Sequence, residues 1–223
     1  MTQDLITLFH SPQTRSTGTR ILLEELGVPY KLHAINMKAG EQRGSEHLAV
    51  NPLGKVPAIR HGEALVTEQV AIYLYLADLF PEAGLAPALT DARRGPYLRW
   101  LVYYGSCYEP AIVDRAMKRD PAPPAISPYG DFDTMFETLV EHLSRNAYML
   151  GPDFSAADIL WGTALKWTSG FKLIPERPVL VDYVNRINAR PAFEKVDRLD
   201  AELAAEHQAA VEAAKSADNT AAG

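Results

Sequence analysis

Residues 51–69 read NPLGKVPAIRHGEALVTEQ, and this stretch decides the fold. Proline lacks a backbone N–H and glycine tolerates positive φ, so residues 51–54 predict a turn. The apolar run 56–59 predicts a short strand, with Pro57 at its mouth, where a missing N–H disturbs the ladder least. After a tight turn that contains a glycine, residues 64–66 return antiparallel. The stretch therefore predicts a β-hairpin.

Two groups in this stretch are suited to a small anionic peptide. Pro57, if its peptide bond is cis, turns the backbone of Val56 outward and leaves that N–H and C=O free to pair with an extended chain. Thr67 is predicted to cap a helix that opens with Glu68 and Gln69, and the free N–H groups of a helix start attract a carboxylate. An ordinary hairpin followed by an acidic helical turn is the alternative interpretation.

Upstream of the hairpin, the pattern predicts a strand, a helix and a second strand. Residues 5–9 are almost wholly apolar, as in a strand that is buried on both faces. Residues 21–26 carry a helical pattern that ends at Gly27, and residues 30–35 alternate as a strand. This order predicts a right-handed βαβ unit with parallel strands, which the hairpin and its helix extend by a ββα unit.

Downstream of residue 90, helical spacing dominates. Four prolines between residues 120 and 130 predict an irregular loop. Ser155 is predicted to cap a helix, with Asp158 accepting from its backbone N–H and Phe154 stapled onto Ile159. The alanine-rich stretch from residue 201 predicts a surface helix to about residue 214. The predicted divisions are an α/β domain over residues 1–80, a linker over 81–90 and an all-helical domain over 91–223, frayed from about 215.

Composition narrows the class of protein. The chain has 223 residues, of which 47% are hydrophobic and 22% charged, as in a soluble globular protein. A net charge of −6 argues against nucleic acid or an anionic membrane as the main partner. Cys107 is the only cysteine, the first residues do not resemble a signal peptide, and no run of about twenty apolar residues is present. We therefore expect a cytoplasmic protein, and the scattered histidines predict no metal site.

The chain resembles the glutathione transferase superfamily, and in particular its bacterial beta, nu and theta-like cytosolic types. The motifs that carry the resemblance are residues 51–59, the pair Glu68–Gln69, and the capping residues Ser155 and Asp158 with Phe154 before them. The resemblance covers nearly the whole chain. It implies a thioredoxin-like α/β N-terminal domain followed by an all-α helical-bundle C-terminal domain. It also implies a homodimer that acts in detoxification.

The resemblance also implies where glutathione binds. Val56 would pair with the cysteinyl part of glutathione, next to a cis-Pro57. Glu68 and Gln69 would hold the γ-glutamyl end, although the family usually has serine at the second position. The residues implied near the glycine carboxylate are Lys55 and Gln42.

The reaction requires glutathione as a thiolate, because the thiol is a poor nucleophile. Lowering a thiol pKa of about 8.5 by about two units corresponds to about 2.7 kcal/mol. A hydroxyl that donates to a thiolate supplies about 1.5–3 kcal/mol, and a helix N-terminus adds about 0.3–1 kcal/mol. The loop before the first helix offers several hydroxyls. The resemblance implies Ser16 as the donor, because it adjoins the position where beta-like members carry cysteine, whereas the nu-like pattern implies Ser11. We expect Ser16, followed by Ser11 and Thr17.

The acceptor side is less defined by the sequence. Tyr104, Tyr108 and Trp161 are candidate walls of an acceptor pocket for a hydrophobic electrophile, although aromatic residues at helical spacing are first of all core residues. The leading hypothesis is a glutathione transferase, with glutathione as co-substrate and no metal. The alternatives are a glutathione-dependent disulfide reductase of the nu-like type, a glutathione-dependent isomerase or dehalogenase, and a non-enzymatic glutathione-binding module.

Overall fold

The computed structural model describes residues 5–221 and divides into two compact units. The first unit contains the chain up to Ile72 together with the chain from Pro191 onward, and the second contains Tyr73–Arg190. The elements of the N-terminal part are β1 (Ile6–His10), α1 (Arg15–Leu26), β2 (Tyr30–Ala34), α2 (Ser45–Val50), β3 (Ala58–His61), β4 (Ala64–Thr67) and α3 (Gln69–Leu79).

A four-stranded mixed sheet forms the centre of the first unit. Its strand order is β2-β1-β3-β4, with β1 parallel to β2 and the other neighbours antiparallel. Leu8 of β1 lies opposite Leu32 on one side and Ile59 on the other. This confirms the predicted βαβ unit, the hairpin and the thioredoxin-like fold class.

Local signals place the ends of the first helix. Gly27 adopts a φ of 67° at the C-terminus of α1, where its N–H donates to the carbonyl of Glu24. Thr14 is the N-cap, and its side chain accepts from the N–H of Ser16. A residue in the left-handed region ends a helix because its N–H bonds a carbonyl that has no partner within the helix, and Gly27 therefore predicted the end of α1.

The start of α3 differs from the prediction by one residue. Thr67 does not cap the helix, because it is the last residue of β4. The helix begins at Gln69, and the carbonyl of Glu68 accepts from the N–H of Ile72 at 3.0 Å. Glu68 itself has a φ of 66°. The hairpin therefore runs one residue further than the sequence pattern indicated, and the reversal into the helix falls on Glu68.

The last helix, α9 (Pro191–Ala221), belongs to the first unit rather than lying wholly on the surface. Phe193, Val196 and Asp200 are 1%, 0% and 3% exposed. Their spacing places them on one face of the helix. Because Asp200 is charged, the sequence pattern did not indicate that this buried face extends to it. The helix continues past residue 214 to Ala221, and the fraying predicted for residues 222–223 lies outside the described residues.

The second unit is mostly helical. Pro110 does not end a helix but lies in the first turn of α5 (Glu109–Ala116), where a missing N–H is tolerated. A π-helical turn, Tyr104–Tyr108, joins it to the preceding helix. None of the described helices has the length and apolarity needed to cross a membrane. The helices of this unit are α4 (Arg94–Tyr103), α5 (Glu109–Ala116), α6 (Phe132–Arg145), α7 (Ala156–Gly170) and α8 (Pro178–Asn188).

The predicted contact at the start of α7 is present. Asp158 accepts from the backbone N–H of Ser155 at 2.9 Å and from its hydroxyl at 3.0 Å. Its other oxygen accepts from Met149 N–H at 2.7 Å and from the Tyr183 hydroxyl at 2.9 Å. Burial raises the pKa of Asp158 to about 6. The domain boundaries at residues 80 and 90, and the packing of Phe154 onto Ile159, stay predictions.

Candidate functional site

The peptide cradle, residues 51–69, begins with a turn that is fixed by its own polar groups. Asn51 Oδ1 accepts from Leu53 N–H at 3.1 Å, and the Asn51 carbonyl accepts from Gly54 N–H at 2.8 Å. The carbonyl of Lys55 accepts from Asn51 Nδ2 at 3.1 Å and faces His47 Nε2 at 3.0 Å. These bonds hold the backbone on the N-terminal side of Val56 in one conformation.

Gly54 occupies a position that no other residue fits. Its φ is 62°, and a Cβ atom there would lie 2.8 Å from the backbone oxygen of Gln42. Both the conformation and the space therefore require glycine. The close approach brings Gln42, which is implied in glutathione binding, against the cradle.

The Val56–Pro57 peptide bond is cis, as the resemblance implied. Val56 is half-buried and packs against the apolar cluster that contains Phe9 and Ala58. Within residues 5–221, the backbone N–H of Val56 has no hydrogen-bond partner. This donor stands immediately before β3, where an extended peptide would need one.

Charged and polar side chains stand at both ends of the cradle. Lys55 and Glu68 are exposed, and neither side chain has a hydrogen-bond or ion-pair partner in the part of the chain that the structure describes. Gln69 donates from Nε2 to the carbonyl of Arg15 at 3.0 Å, which ties the start of α3 to the start of α1. Gln42 has a buried Oε1 without a partner among the described residues. Gln69, at the position where the family usually has serine, therefore joins the start of α3 to the start of α1 through its side chain.

The hydroxyl loop, residues 10–17, connects β1 to α1 and contains the three predicted hydroxyl donors. Ser16 is 0% exposed, and its Oγ lies 2.9 Å from His10 Nδ1, 2.7 Å from Thr14 Oγ1 and 2.9 Å from the Ser11 carbonyl. It also accepts from Ser11 N–H at 3.1 Å. The hydroxyl of Ser16 is therefore engaged on all sides, and its predicted role as the thiol donor conflicts with this burial.

The hydroxyl of Thr17 also has a partner within the protein, whereas the hydroxyl of Ser11 has none among residues 5–221. The Thr17 hydroxyl donates to Asp200 Oδ2 at 2.5 Å. Ser11 is 4% exposed and uses both of its backbone groups within the loop, but its side-chain hydroxyl has no hydrogen-bond partner among residues 5–221. Of the three predicted hydroxyls, only that of Ser11 is available to a ligand in this part of the chain.

Asp200 and His10 are the residues that the sequence did not reveal. Asp200 Oδ1 accepts from His10 Nε2 at 3.0 Å and from Arg20 Nη1 at 2.9 Å. Burial raises the pKa of Asp200, but the hydrogen bonds from His10, Thr17 and Arg20 outweigh it and leave that pKa below its usual value. The helical spacing of Asp200 from the buried residues of α9 is a pattern from which its burial could have been predicted. The partners of Asp200 could not be predicted, because they lie about 180–190 residues away in the sequence.

Comparisons with known proteins agree with this geometry. Residues 5–78 match the family model described as glutathione S-transferase, N-terminal domain, and residues 131–191 match that of the C-terminal domain. The chain is 31% identical to mouse glutathione S-transferase theta-3 over 76% of each chain. The chain belongs to the glutathione S-transferase family.

Two further similarities bear on the transferase. A sphingomonad glutathione S-transferase that was solved in complex with glutathione is 29% identical, covers 87% of this chain and 98% of its own, and gives a TM-score of 0.72. The disulfide-bond oxidoreductase YfcG of Escherichia coli is 27% identical over 84% of this chain and 92% of its own. The similarities as a whole support glutathione transfer and do not favour the reductase alternative.

The predicted acceptor residues of the transferase lie together in the second unit, where they are buried core residues. Tyr104, Tyr108 and Trp161 are 4%, 0% and 0% exposed, and the ring of Trp161 lies 5.7 Å and 5.0 Å from the two tyrosine rings. The Tyr108 hydroxyl bonds Thr168 Oγ1 at 2.7 Å, and Trp161 Nε1 donates to the Trp100 carbonyl at 3.1 Å. Their role in binding an acceptor stays a prediction.

The described part of the transferase has no grouping of side chains that would hold a metal ion. Within residues 5–221, no three side chains of His, Cys, Asp or Glu are grouped as metal ligands. Cys107, on the π-helical turn, has a pKa that burial raises, and its thiol donates to the Pro128 carbonyl at 3.4 Å. A cysteine with a raised pKa is a weak nucleophile at neutral pH.

Proposed function

We propose that this transferase stabilises the thiolate of glutathione with a hydrogen bond from the Ser11 hydroxyl, so that the thiol loses its proton to solvent and its sulfur attacks a hydrophobic electrophile. The observation that carries the proposal is the contrast among the three hydroxyls of the hydroxyl loop. Ser16 and Thr17 donate or accept within the protein, whereas the hydroxyl of Ser11, a residue that is 4% exposed, has no partner among the described residues. A hydroxyl carries one hydrogen to donate, and that of Ser11 is not used within this part of the protein, so it is free to donate to a ligand atom.

The energy that one hydroxyl supplies is sufficient. A hydrogen bond to a charged acceptor contributes about 1.5–3 kcal/mol, which lowers a thiol pKa by about one to two units. Ser11 also lies just before the N-terminus of α1, whose first turn contains no acidic residue. The positive end of the helix dipole adds about 0.3–1 kcal/mol in favour of the thiolate.

The peptide cradle supplies the remaining contacts in this proposal. The Val56 N–H would pair with the cysteinyl carbonyl, and the exposed carboxylate of Glu68 would accept from the γ-glutamyl ammonium. Gln69 would offer its backbone N–H to the γ-glutamyl carboxylate. At the other end, the ammonium of Lys55 and the amide of Gln42 would bind the glycine carboxylate. Within the described part of the chain, no partner is found for the Val56 N–H, the Glu68 carboxylate, the Lys55 ammonium or the Gln42 side-chain oxygen.

We also propose a cytoplasmic homodimer that acts in detoxification, with Tyr104 as the most accessible of the three predicted acceptor residues. A composition typical of soluble proteins and a single cysteine favour the compartment. Sedimentation velocity on the full chain tests the assembly, and a single monomer boundary across the concentration range would contradict it.

The test of the thiol donor is a comparison of three single variants, Ser11→Ala, Ser16→Ala and Thr17→Val. The pKa of glutathione bound to each is measured from thiolate absorbance against pH. We expect Ser11→Ala to raise this pKa by about one to two units. An unchanged pKa in Ser11→Ala, with a rise in either of the other two, would transfer the role to that residue.

The reaction type is tested by parallel assays with an aryl halide and with hydroxyethyl disulfide. A transferase gives conjugation that depends on Ser11 and leaves disulfide reduction at the background rate. Reduction without conjugation would establish the reductase instead. If both assays stay at background while glutathione binds, the protein is a binding module.

A further inference from the structure

A buried chain of polar side chains connects the last helix to the hydroxyl loop. It runs from Asp200 through His10 to Ser16, over a sequence separation of 190 residues between the first two. All of its members belong to the first unit. We propose that Asp200 is a positioning residue, which acts through His10 and Ser16 to hold Ser11 in the conformation that activates the thiol. This inference rests on the proposed role of Ser11.

The chain has the residue types of a serine nucleophile with its histidine and aspartate, but its surroundings exclude that role. Ser16 and His10 are both 0% exposed. The Ser16 hydroxyl is surrounded by His10, Thr14 and both backbone groups of Ser11. A nucleophile must reach its substrate, so this chain positions other groups and does not itself react.

The carboxylate fixes the histidine first. The pKa of Asp200 lies below its usual value, so the group is ionised and can only accept hydrogen bonds. His10 must therefore carry a proton on Nε2, which faces Asp200 Oδ1. Arg20 and Thr17 occupy the remaining directions around the carboxylate and prevent it from turning. The ring of His10 is thereby oriented with Nδ1 toward Ser16.

Ser16 then fixes the backbone of Ser11. Its Oγ accepts from Ser11 N–H at 3.1 Å and lies 2.9 Å from the Ser11 carbonyl. The Thr14 hydroxyl donates to the same carbonyl at 2.7 Å. Both backbone groups of Ser11 are hydrogen-bonded, whereas its hydroxyl has no partner among residues 5–221. The network therefore fixes the backbone from which the side chain projects and leaves the hydroxyl to donate to the ligand. A preorganised donor stabilises developing charge better than one that must be reoriented.

The test uses the full-length Asp200→Asn variant, which preserves the shape and removes the charge. Its matched control is Glu202→Gln on the same helix, an exposed acid that pairs with Arg198. Two quantities are measured: the pKa of bound glutathione from thiolate absorbance, and the Kd of S-methylglutathione, which has no thiol to ionise. A positioning role predicts a rise of about one unit in the pKa, or about a tenfold smaller thiolate fraction at neutral pH.

The Kd of S-methylglutathione separates positioning from structural damage. We expect it to change by less than about twofold in Asp200→Asn, because the peptide cradle does not include Asp200. A purely structural role would weaken S-methylglutathione binding and leave the thiol pKa where it is. That result, or an unchanged thiol pKa with intact binding, would overturn the inference.

The double variant Ser11→Ala/Asp200→Asn separates this inference from the proposed function. If Asp200 acts through Ser11, its substitution adds nothing once the Ser11 hydroxyl is absent. If Ser11→Ala alone leaves the thiol pKa unchanged, the proposed donor is wrong. If Ser11→Ala raises it and Asp200→Asn does not, the positioning role alone fails. Should Asp200→Asn not fold, Thr17→Val removes one donor to the same carboxylate, and a smaller rise in the thiol pKa is then the required result.

Discussion

The peptide cradle and the hydroxyl loop, which we propose form one ligand site, are built by opposite means. The cradle uses backbone geometry within one contiguous stretch, where Gly54 permits a close approach and the Val56 N–H finds no partner among the described residues. The hydroxyl loop uses side chains, and its carboxylate comes from α9 at the far end of the chain. Backbone-built sites are marked by proline and glycine, whereas a side-chain network leaves no local pattern.

The largest expected effect tests whether the network also stabilises the fold. Asp200→Ala should lower the free energy of unfolding by about 3–5 kcal/mol, because it leaves the buried Arg20 cation and the His10 and Thr17 donors without their acceptor. Urea denaturation monitored by tryptophan fluorescence measures this difference. A stability equal to that of the wild type would mean that the network positions groups without holding the fold.

A pH series provides the control for that variant. The pKa of Asp200 is lowered in the folded state, so its contribution is present above the unfolded pKa of about 4 and is lost as the pH falls through the folded value. The wild type should lose stability over this acidic window, and Asp200→Ala should lack that component of the loss. Equal pH profiles for the two proteins would contradict the assignment.

A single added methyl group at Gly54 should destabilise the peptide cradle. Gly54→Ala combines a positive φ with a Cβ 2.8 Å from the Gln42 oxygen, so we expect a loss of about 2–4 kcal/mol in the free energy of unfolding. Gly40→Ala is the matched control, because Gly40 has a φ of 83° with open space around its Cβ position. It should cost only about 1–2 kcal/mol, from the φ alone. Equal losses in the two variants would show that the close approach is unimportant.

Glu68→Gln should have the smallest effect on the free energy of unfolding, although it should clearly weaken the binding of glutathione. Glu68→Gln should weaken glutathione binding by about 1.5–3 kcal/mol, since the γ-glutamyl ammonium loses a charged acceptor. The free energy of unfolding should change by less than about 0.5 kcal/mol, because Glu68 is exposed. Calorimetric titration measures the affinity, with Glu63→Gln in the turn of the same hairpin as the control. An unchanged Kd would remove Glu68 from the site.

The sequence predicted the parts of the fold that local chemistry controls. Gly27 ends α1 and residues 58–67 form the hairpin, because turns and caps depend on a few adjacent residues. The cap of α3 was predicted at Thr67 and lies one residue later, because the positive φ of Glu68 has no sequence signature. The different surroundings of the Ser16 and Ser11 hydroxyls could not be predicted, because burial depends on tertiary packing, which spacing alone does not reveal. Which of them is the thiol donor stays a prediction.

The position of α9 also affects how the protein is made. The first unit consists of an early and a late part of the chain, with Tyr73–Arg190 between them. At roughly 5–20 residues per second, a ribosome needs several seconds to synthesise that intervening segment. During this interval His10 and Arg20 are already present, but their carboxylate is not. The hydroxyl loop is therefore completed only after translation has passed Asp200, and the nascent N-terminal segment must remain soluble until then.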